Sequence, residues 1–138
     1  VSDRSSIGAG ANPAATILIV EDDAVAVEVF EQILKLNGYA VRVAADAETG
    51  LLEYQRSDPS AVLLDLHLPM ADGVEFLRRL RDSVPRTRVP VAVITGDYFV
   101  DESLAQEIQD LGARVHFKPL WEDDLLALVG ELLQRQSV

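Results

Sequence analysis

The apolar residues of this chain fall into two alternating patterns. Thr16-Ile17-Leu18-Ile19-Val20, Ala61-Val62-Leu63-Leu64 and Pro90-Val91-Ala92-Val93-Ile94 are short and apolar almost throughout. A short apolar run bounded by turn signals reads as a strand buried on both faces, the kind found in parallel sheets covered by helices. Ala40 to Ala45, which contains Arg42, alternates more and suits a sheet edge; Arg114 to Phe117 is a short fifth run. Between these runs the apolar residues recur every three or four positions, the helical period. The spacing predicts a first helix to about Asn37 with Val25, Val29, Ile33 and Leu36 as its buried stripe, ended by Gly38. Asp46 is the expected N-cap of a second helix through about Arg56. Asp72 and Glu75 stand at capping-box spacing before a third helix with Val74, Leu77, Leu80 and Val84 on one side. A fourth runs from about Asp101 to Leu111, burying Leu104, Ile108 and Leu111, and Gly112 ends it. The last, from Trp121 to about Arg135, carries two stripes: Trp121, Leu125, Leu128 and Leu132, and beside it Leu126, Val129 and Leu133. One must face the sheet; the other is helix-edge burial or a partner surface.

Five strand–helix units with short loops imply one parallel sheet, helices on both faces and right-handed crossovers. The length, 138 residues, suits a single domain. Residues 1–15, rich in Ser, Gly, Ala, Asn and Pro, read as a flexible tail, and residues 16–138 as the folded domain.

Charge and composition narrow the function classes. Twelve basic against twenty-three acidic residues give a net charge of -11, so nucleic acid and anionic membranes are repelled on average. The one basic cluster, Arg78-Arg79-Arg81 with Arg86 and Arg88, reads as a solvated helix face and loop. With no cysteine, a disulfide scaffold and a Cys-ligated metal are excluded. No apolar run approaches the ~20 residues of a membrane span, and the first fifteen residues lack a signal-peptide pattern. The expectation is a cytoplasmic protein.

The chemistry collects where strands end. The first strand runs into Glu21-Asp22-Asp23, the third ends in Asp65, the fourth in Thr95 and the fifth in Lys118. In a parallel sheet these carboxyl ends converge on one crevice. Clustered carboxylates repel, which raises pKa values or demands a cation, and a hard divalent ion suits them. A Lys supplies a compact charge for a phosphoryl oxygen, a Thr hydroxyl can donate to another, and a carboxylate can become an aspartyl phosphate. Together they make a phosphoacceptor site. Glu21 reads as a solvated neighbour of Asp22 and Asp23, His67 as an exposed loop residue, and His116 as a packed residue rather than a proton donor.

Ile19-Val20-Glu21-Asp22-Asp23, Leu63-Leu64-Asp65-Leu66-His67-Leu68-Pro69, Asp72-Gly73, Ile94-Thr95-Gly96 and Lys118-Pro119, in that order and each at a strand end, resemble the response-regulator receiver domains of bacterial two-component signalling. The likeness covers residues 16–135. It implies a flavodoxin-like, doubly wound (βα)5 fold with strand order 2-1-3-4-5. It implies phosphorylation of Asp65 by a histidine kinase or phosphotransfer protein, in a signalling domain that is no enzyme beyond its own Mg2+-dependent phosphorylation and slow dephosphorylation. Asp22 and Asp23 match the acidic metal pair, with Asp23 as the more direct ligand; Asp65 and the backbone carbonyl of His67 complete a Mg2+ site, Mn2+ being an alternative. Thr95 matches the switch hydroxyl, Gly96 the small residue that leaves room for phosphate, and Lys118 the lysine, with Lys118-Pro119 the bond usually cis. Output would pass to a protein effector or a fused domain, and homodimer formation stays open.

One departure matters. Receivers usually carry an aromatic three positions before the lysine, and here that position is Val115. Phe117 is the strand's only aromatic and is expected in the core beneath the fifth helix. The signal is then expected to leave through Thr95, the Gly96–Val100 loop and the fourth helix, with Tyr98 and Phe99 as contacts. Three other functions compete with this one. A receiver-like interaction module without phosphorylation would have lost an acid, the Asp or the Lys. A flavodoxin would want a Ser/Thr/Gly-rich loop where Glu21-Asp22-Asp23 stands. A haloacid-dehalogenase-like phosphatase would want an acid where His67 stands.

Overall fold

The computed structural model describes residues 15–68, 72–83, 89–97 and 100–136. The expected tail, Ala15 apart, lies outside the described residues, as do Val84, Arg86, Arg88, Tyr98 and Phe99. Five strands alternate with five helices: β1 Thr16–Val20, α1 Ala24–Leu36, β2 Ala40–Ala44, α2 Ala47–Ser57, β3 Ala61–Asp65, α3 Gly73–Ser83, β4 Val91–Thr95, α4 Glu102–Asp110, β5 Ala113–Phe117 and α5 Glu122–Gln136. The sheet is parallel throughout, in the order β2-β1-β3-β4-β5, as the strand pattern and the resemblance implied.

Alternation along the strands builds two cores. Leu18, Val20, Val62, Leu64, Val91 and Val93 face α2, α3 and α4, where Phe76, Leu77, Leu80 and Ile108 close over them. Ile17, Ile19, Leu63, Ala92 and Ile94 face α1 and α5, meeting Phe30, Leu34, Leu125, Val129 and Leu132. All five residues of β3 are buried because helices cover both faces of the central strand. Each fully buried Leu, Ile or Phe contributes about 1.5–3 kcal/mol relative to exposure. On the α2 side the fit is close: a Cβ at Gly50 would stand 2.9 Å from Phe76 and 3.3 Å from Val20, so α2 can lie against both only with glycine there.

Side-chain caps set the helix starts. Asp46 accepts from the Thr49 amide and Asp101 from the Leu104 amide. Asp72 accepts from the Glu75 amide at 2.9 Å, while the Glu75 carboxylate takes Arg78. Gly38 and Gly112, with φ of 91° and 81°, turn the chain out of α1 and α4 in the left-handed region that glycine enters without strain. The described members of the basic cluster are paired: Arg78 meets Glu75 and Glu107, Arg79 meets Glu48, and Arg81 donates to the carbonyls of Leu111 and Val89.

Three expectations about faces need correction. Val25, Val29 and Leu36 of α1 are 70%, 46% and 86% exposed, and the buried face is Phe30 and Leu34 with Val27 and Ile33 beside them. Both stripes have helical period; the one carrying the Phe ring and a Leu buries more apolar area and takes the sheet. Trp121 is exposed because it precedes the first residue of α5, while the two α5 stripes merge, Leu125, Leu128, Val129 and Leu132 being buried and Leu126 and Leu133 half-buried. Phe117 is 40% exposed rather than held beneath α5. Ala113 and Val115 belong to the core under α3 and α4, so alternation puts Phe117 on that same face, past the end of the core.

The face of α1 can be checked by truncation. Leu34→Ala should cost about 2–5 kcal/mol in urea unfolding and Leu36→Ala less than about 0.5 kcal/mol. Comparable losses at the two positions would return Leu36 to the core.

Candidate functional site

The site lies where the chain reverses its order across the sheet. From β1 the chain crosses to β2 on one side, then to β3 on the other, and the carboxyl ends of β1 and β3 open a crevice between them. Val20 sits opposite Leu64, so the next residues, Glu21 and Asp65, leave the sheet side by side. Glu21 continues the ladder through its amide to Ala44 O at 2.9 Å and is only 4% exposed. Asp65 is 7% exposed and Thr95, opposite Phe117, is fully buried.

Glu21, Asp22 and Asp65 each offer a carboxylate oxygen, and the three lie within 4.8 Å of one another. Asp23, expected as the more direct ligand of the acidic pair, is placed outside that group. It is the N-cap of α1, its carboxylate accepting from the amides of Val25 at 3.0 Å and Ala26 at 3.5 Å. Three consecutive acids at a strand-to-helix turn divide the work, and the one just before the first helical residue satisfies the helix's open amides. Glu21, set aside as a neighbour, stands in the group instead.

Lys118 reaches the group from β5. Its amide donates to Thr95 O at 2.8 Å, which fixes the start of the side chain. Its ammonium donates to Glu21 Oε1 at 2.9 Å and stands 3.9 Å from Asp65 Oδ1. The second oxygen of Glu21 accepts from the Asp23 amide at 3.1 Å. The Lys118-Pro119 bond is cis. Burial works against the Lys118 charge, but the hydrogen bond to Glu21 and the field of Asp65 outweigh it and hold its pKa above the usual value. For Asp65 burial and the Glu21 carboxylate act together and push its pKa up to about 6, against the opposing pull of Lys118 and of the His67 amide. One ammonium does not balance three carboxylates in so small a space.

The loops after β3 and β4 complete the rim. The His67 amide donates to Asp65 Oδ1 at 3.3 Å, while the His67 ring is exposed and its Nε2 lies 3.4 Å from Asp97 Oδ2. The Asp97 amide donates to Thr95 Oγ1 at 3.0 Å. Gly73 returns the chain beneath Asp65: its amide donates to Leu66 O at 2.7 Å, and a Cβ there would fall 2.5 Å from Asp65 O. Any other residue at this position would press on the backbone of Asp65 and Leu66. Gly96 is open, a Cβ there meeting only the Lys118 side chain at 4.0 Å. Val115 is half-buried against the core under α3 and α4. His116, on the opposite face, is half-buried near Glu131 of α5, and burial lowers its pKa.

Comparison with known proteins agrees with this geometry. The profile of the response regulator receiver domain matches residues 17–130. The response regulator MprA of Mycobacterium sp. (strain KMS) is 36% identical over 122 residues, which are 88% of this chain and 51% of MprA. The chain thus spans about half the length of the curated relatives it matches. The crystal structure of a CheY-like receiver domain protein from Methanospirillum hungatei superposes with a TM-score of 0.81 at 30% identity, covering 90% of this chain and 97% of that one. The CheX-CheY-BeF3-Mg complex of Borrelia burgdorferi gives 0.74 at 26% identity, covering 85% and 87%. No helix among the described residues is long and apolar enough to cross a membrane. The fold, the strand-end residues and these matches lead to one conclusion: the chain belongs to the response regulator receiver domain family.

Proposed function

We propose that Asp65 is the phosphoacceptor of a two-component or phosphorelay pathway, charged by a histidine kinase or phosphotransfer protein. The observation that carries the reading is the setting of Asp65: a buried carboxylate 3.9 Å from a lysine ammonium and within 4.8 Å of the Glu21 and Asp22 carboxylates. In the transfer an Asp65 oxygen bonds to phosphorus as the phosphorus–nitrogen bond of the donor breaks, and the donor imidazole leaves as it takes up a proton. Lys118, parked on Glu21, turns its ammonium to a phosphoryl oxygen. The Thr95 hydroxyl donates to another, and Gly96 keeps the approach clear. Positioning and neutralisation are nearly all that phosphoryl transfer asks of a protein.

The donor set fits a hard divalent cation. It is all oxygen, it carries excess negative charge, and the raised pKa of Asp65 registers that excess. Asp22, Asp65 and the backbone carbonyl of His67 would hold Mg2+, or Mn2+ in its place, with Glu21 alongside and Asp23 left to its helix cap. A bound ion would supply charge neutralisation between the carboxylates and the incoming phosphoryl oxygens. The similar Borrelia burgdorferi CheY was solved in a complex with BeF3 and Mg, which supports a divalent cation here. The domain then catalyses only its own phosphorylation and slow hydrolysis, in a cytoplasmic setting. Its output goes to a protein effector or to a further domain of the kind that would make up the other half of its relatives' length.

The exposed stripe of α1 suggests where a protein donor sits. Val25 follows the acidic turn by two residues, and Val29 lies one turn further on the same side. The signal would leave through Thr95, the loop to Val100 and α4; Val115 has no ring to swing, and Phe117 stands at the end of its strand. The interaction-module reading gains nothing, since the acids, Asp65 and Lys118 are all present and together.

Acetyl phosphate with Mg2+ should add one phosphoryl group to the wild-type chain and none to Asp65→Asn, as read by intact mass; equal labelling of both would sink the assignment. Val25→Asp with Val29→Asp should slow transfer from a phosphorylated histidine kinase at least tenfold and leave labelling by acetyl phosphate unchanged. Slowing of both reactions would move the donor surface elsewhere.

The pH dependence has a definite sign. The Asp65 pKa is raised from 3.8 to about 6, so between those values the folded state binds more protons than the unfolded one, and stability falls as pH rises. Metal-free Asp65→Asn lacks this penalty. Its melting temperature should exceed that of the wild type by a margin that grows from about pH 4 to about pH 6 and is then constant; a margin independent of pH would mean that Asp65 carries no such strain.

A further inference from the structure

The five helices do not end alike. α1, α2, α3 and α5 each carry a basic residue in the last turn: Lys35, Arg56, Arg81 and Arg135. α4 carries none. The last carbonyls of a helix have no partner within it and form the negative end of its dipole, so a cation there is favoured. For α4 the cations come from its neighbours. Arg81 of α3 donates through Nε to Leu111 O at 2.9 Å and through Nη1 to Val89 O at 3.0 Å. One half-buried guanidinium thus ties the end of α4 to α3 and to the residue two before β4. Arg135 of α5 donates to Gly112 O at 3.3 Å, and Arg78 of α3 pairs with Glu107 one turn earlier. The other end of α4 is self-contained. Asp101 caps it by accepting from the Leu104 amide at 2.8 Å, and Glu102 supplies the acid of the first turn. Chain connection repeats the asymmetry. Six residues, 96–101, separate Thr95 from the first residue of α4. Leu111 and Gly112 alone separate its last residue from β5, where Ala113 is buried and paired with Val91. Burial runs the same way, Ile108 being fully buried and Leu104 only half-buried.

The geometry points to a hinge at the C-terminal end of α4, with Arg81 as the positioning residue that fixes it. A pull on the chain between Thr95 and α4 then swings the first turns of the helix and leaves its end in place. The inference rests on the phosphoacceptor reading given above and goes beyond it, since that reading says only that the signal passes through α4. The cap and the first-turn acid belong to the moving end and travel with it, so the swing costs them nothing. The partners of the last carbonyls sit on α3 and α5 and would be lost if the whole helix slid. The planar guanidinium holds two acceptors in fixed directions, which a lysine ammonium on its flexible stem does not. Exposed ion pairs such as Arg78 with Glu107 are weak, so the half-buried Arg81 is the stronger tie. A swing and a slide differ in a measurable ratio. With the pivot at Leu111, Ser103 lies about 12 Å along the helix axis and Gln109 about 3 Å, at a rise of about 1.5 Å per residue. A swing moves Ser103 about four times as far as Gln109, whereas a slide moves both equally.

The chain has no cysteine, so nitroxide labels attach only where one is introduced. Gln55→Cys, exposed in the last turn of α2, takes the reference label, and Ser103→Cys or Gln109→Cys, both exposed on α4, takes the second. Label-to-label distances are measured by pulsed electron spin resonance on the full chain with Mg2+, before and after beryllofluoride, and fluorine NMR reports the bound beryllofluoride. The distance change at Ser103 should be about four times that at Gln109. Equal changes at both, a larger change at Gln109, or no change at either with beryllofluoride bound overturns the hinge. Arg81→Gln and Arg81→Lys, made in the same labelled chains, test the residue. The ratio should fall to about one in Arg81→Gln and part-way in Arg81→Lys. A ratio equal to that of the wild type in either folded variant overturns the role of Arg81; a merely structural role would lower the melting temperature of Arg81→Gln and leave the ratio as it was. Failure of the underlying reading shows separately, as a wild type that binds no beryllofluoride or an Asp65→Asn that binds it equally.

Discussion

Repulsion among carboxylates held at one edge of a parallel sheet is the constraint on which this structure turns. Glu21 and Asp65 are neighbours because β1 and β3 pair in register, Val20 against Leu64. They are buried because both strands are apolar up to their last residue. Asp22 adds a third charge, and among the described residues the ammonium close by comes from Lys118, anchored to Thr95 O across the β4–β5 pair. Asp22 is open to water, but Glu21 and Asp65 are buried, and burial together with the Glu21 charge lifts the Asp65 pKa to about 6. The site is thus held short of positive charge. A divalent cation, which the acidic cluster could hold, and a phosphoryl group would relieve one another's cost there, and the sheet supplies the rigidity that keeps the carboxylates from moving apart.

That rigidity has an identifiable source. The two cores grip the sheet from opposite faces, and β3 is buried at every position. Removing a buried ion's water costs several kcal/mol, comparable to a large part of a domain's net stability. The acidic cluster can persist only because cores of this kind lie directly beneath it. Gly73 makes the same point locally. Its missing side chain lets Gly73 pack against Asp65 O, and the His67 amide donates to the Asp65 carboxylate.

Most of the fold was legible because buried parallel strands announce themselves as apolar runs, and the observed strands begin and end within a residue of those runs. The resemblance added the strand order. Two kinds of feature were not legible. The first is phase. On α1 the residues 25, 29 and 36 and the residues 27, 30 and 34 both repeat helically, and only the size of Phe30 and Leu34 hints at which stripe meets the sheet. The same ambiguity governs Glu21-Asp22-Asp23, where adjacency alone does not say which acids join Asp65. A signal was present: Asp23 directly precedes Ala24, the first helical residue, and a carboxylate there caps the helix. Phe117 carried its own signal too, since alternation from Val115 directs it to the α4 side of the sheet. The second kind is contact at long range. His67 and Asp97 lie thirty positions apart on different loops, and no local pattern reports that they touch.

Of the exposed large apolar residues, Leu36 at the far end of α1 and Leu52 in α2 lie away from the acidic turn and from Lys118, while others follow those strand ends closely. Val25 and Val29 are apolar and exposed on the helix that begins at the acidic turn, and Trp121 is exposed three residues after Lys118. Isolated exposed apolar residues are ordinary on any protein surface and need no explanation. These are not isolated in sequence: both sets follow a strand end that contributes to the site, Glu21-Asp22-Asp23 in one case and Lys118 in the other. A sequence under pressure only to fold would gain solubility by making them polar at little cost to either core, since neither core uses them. Exposed apolar residues beside the acidic turn suit the docking of the protein donor proposed above, which has to bring a reactive phosphorus to a carboxylate that the fold itself keeps buried. The site needs that access because Asp65 is so little exposed, and it is so little exposed because the charge shortage that drives its chemistry requires water to be kept out.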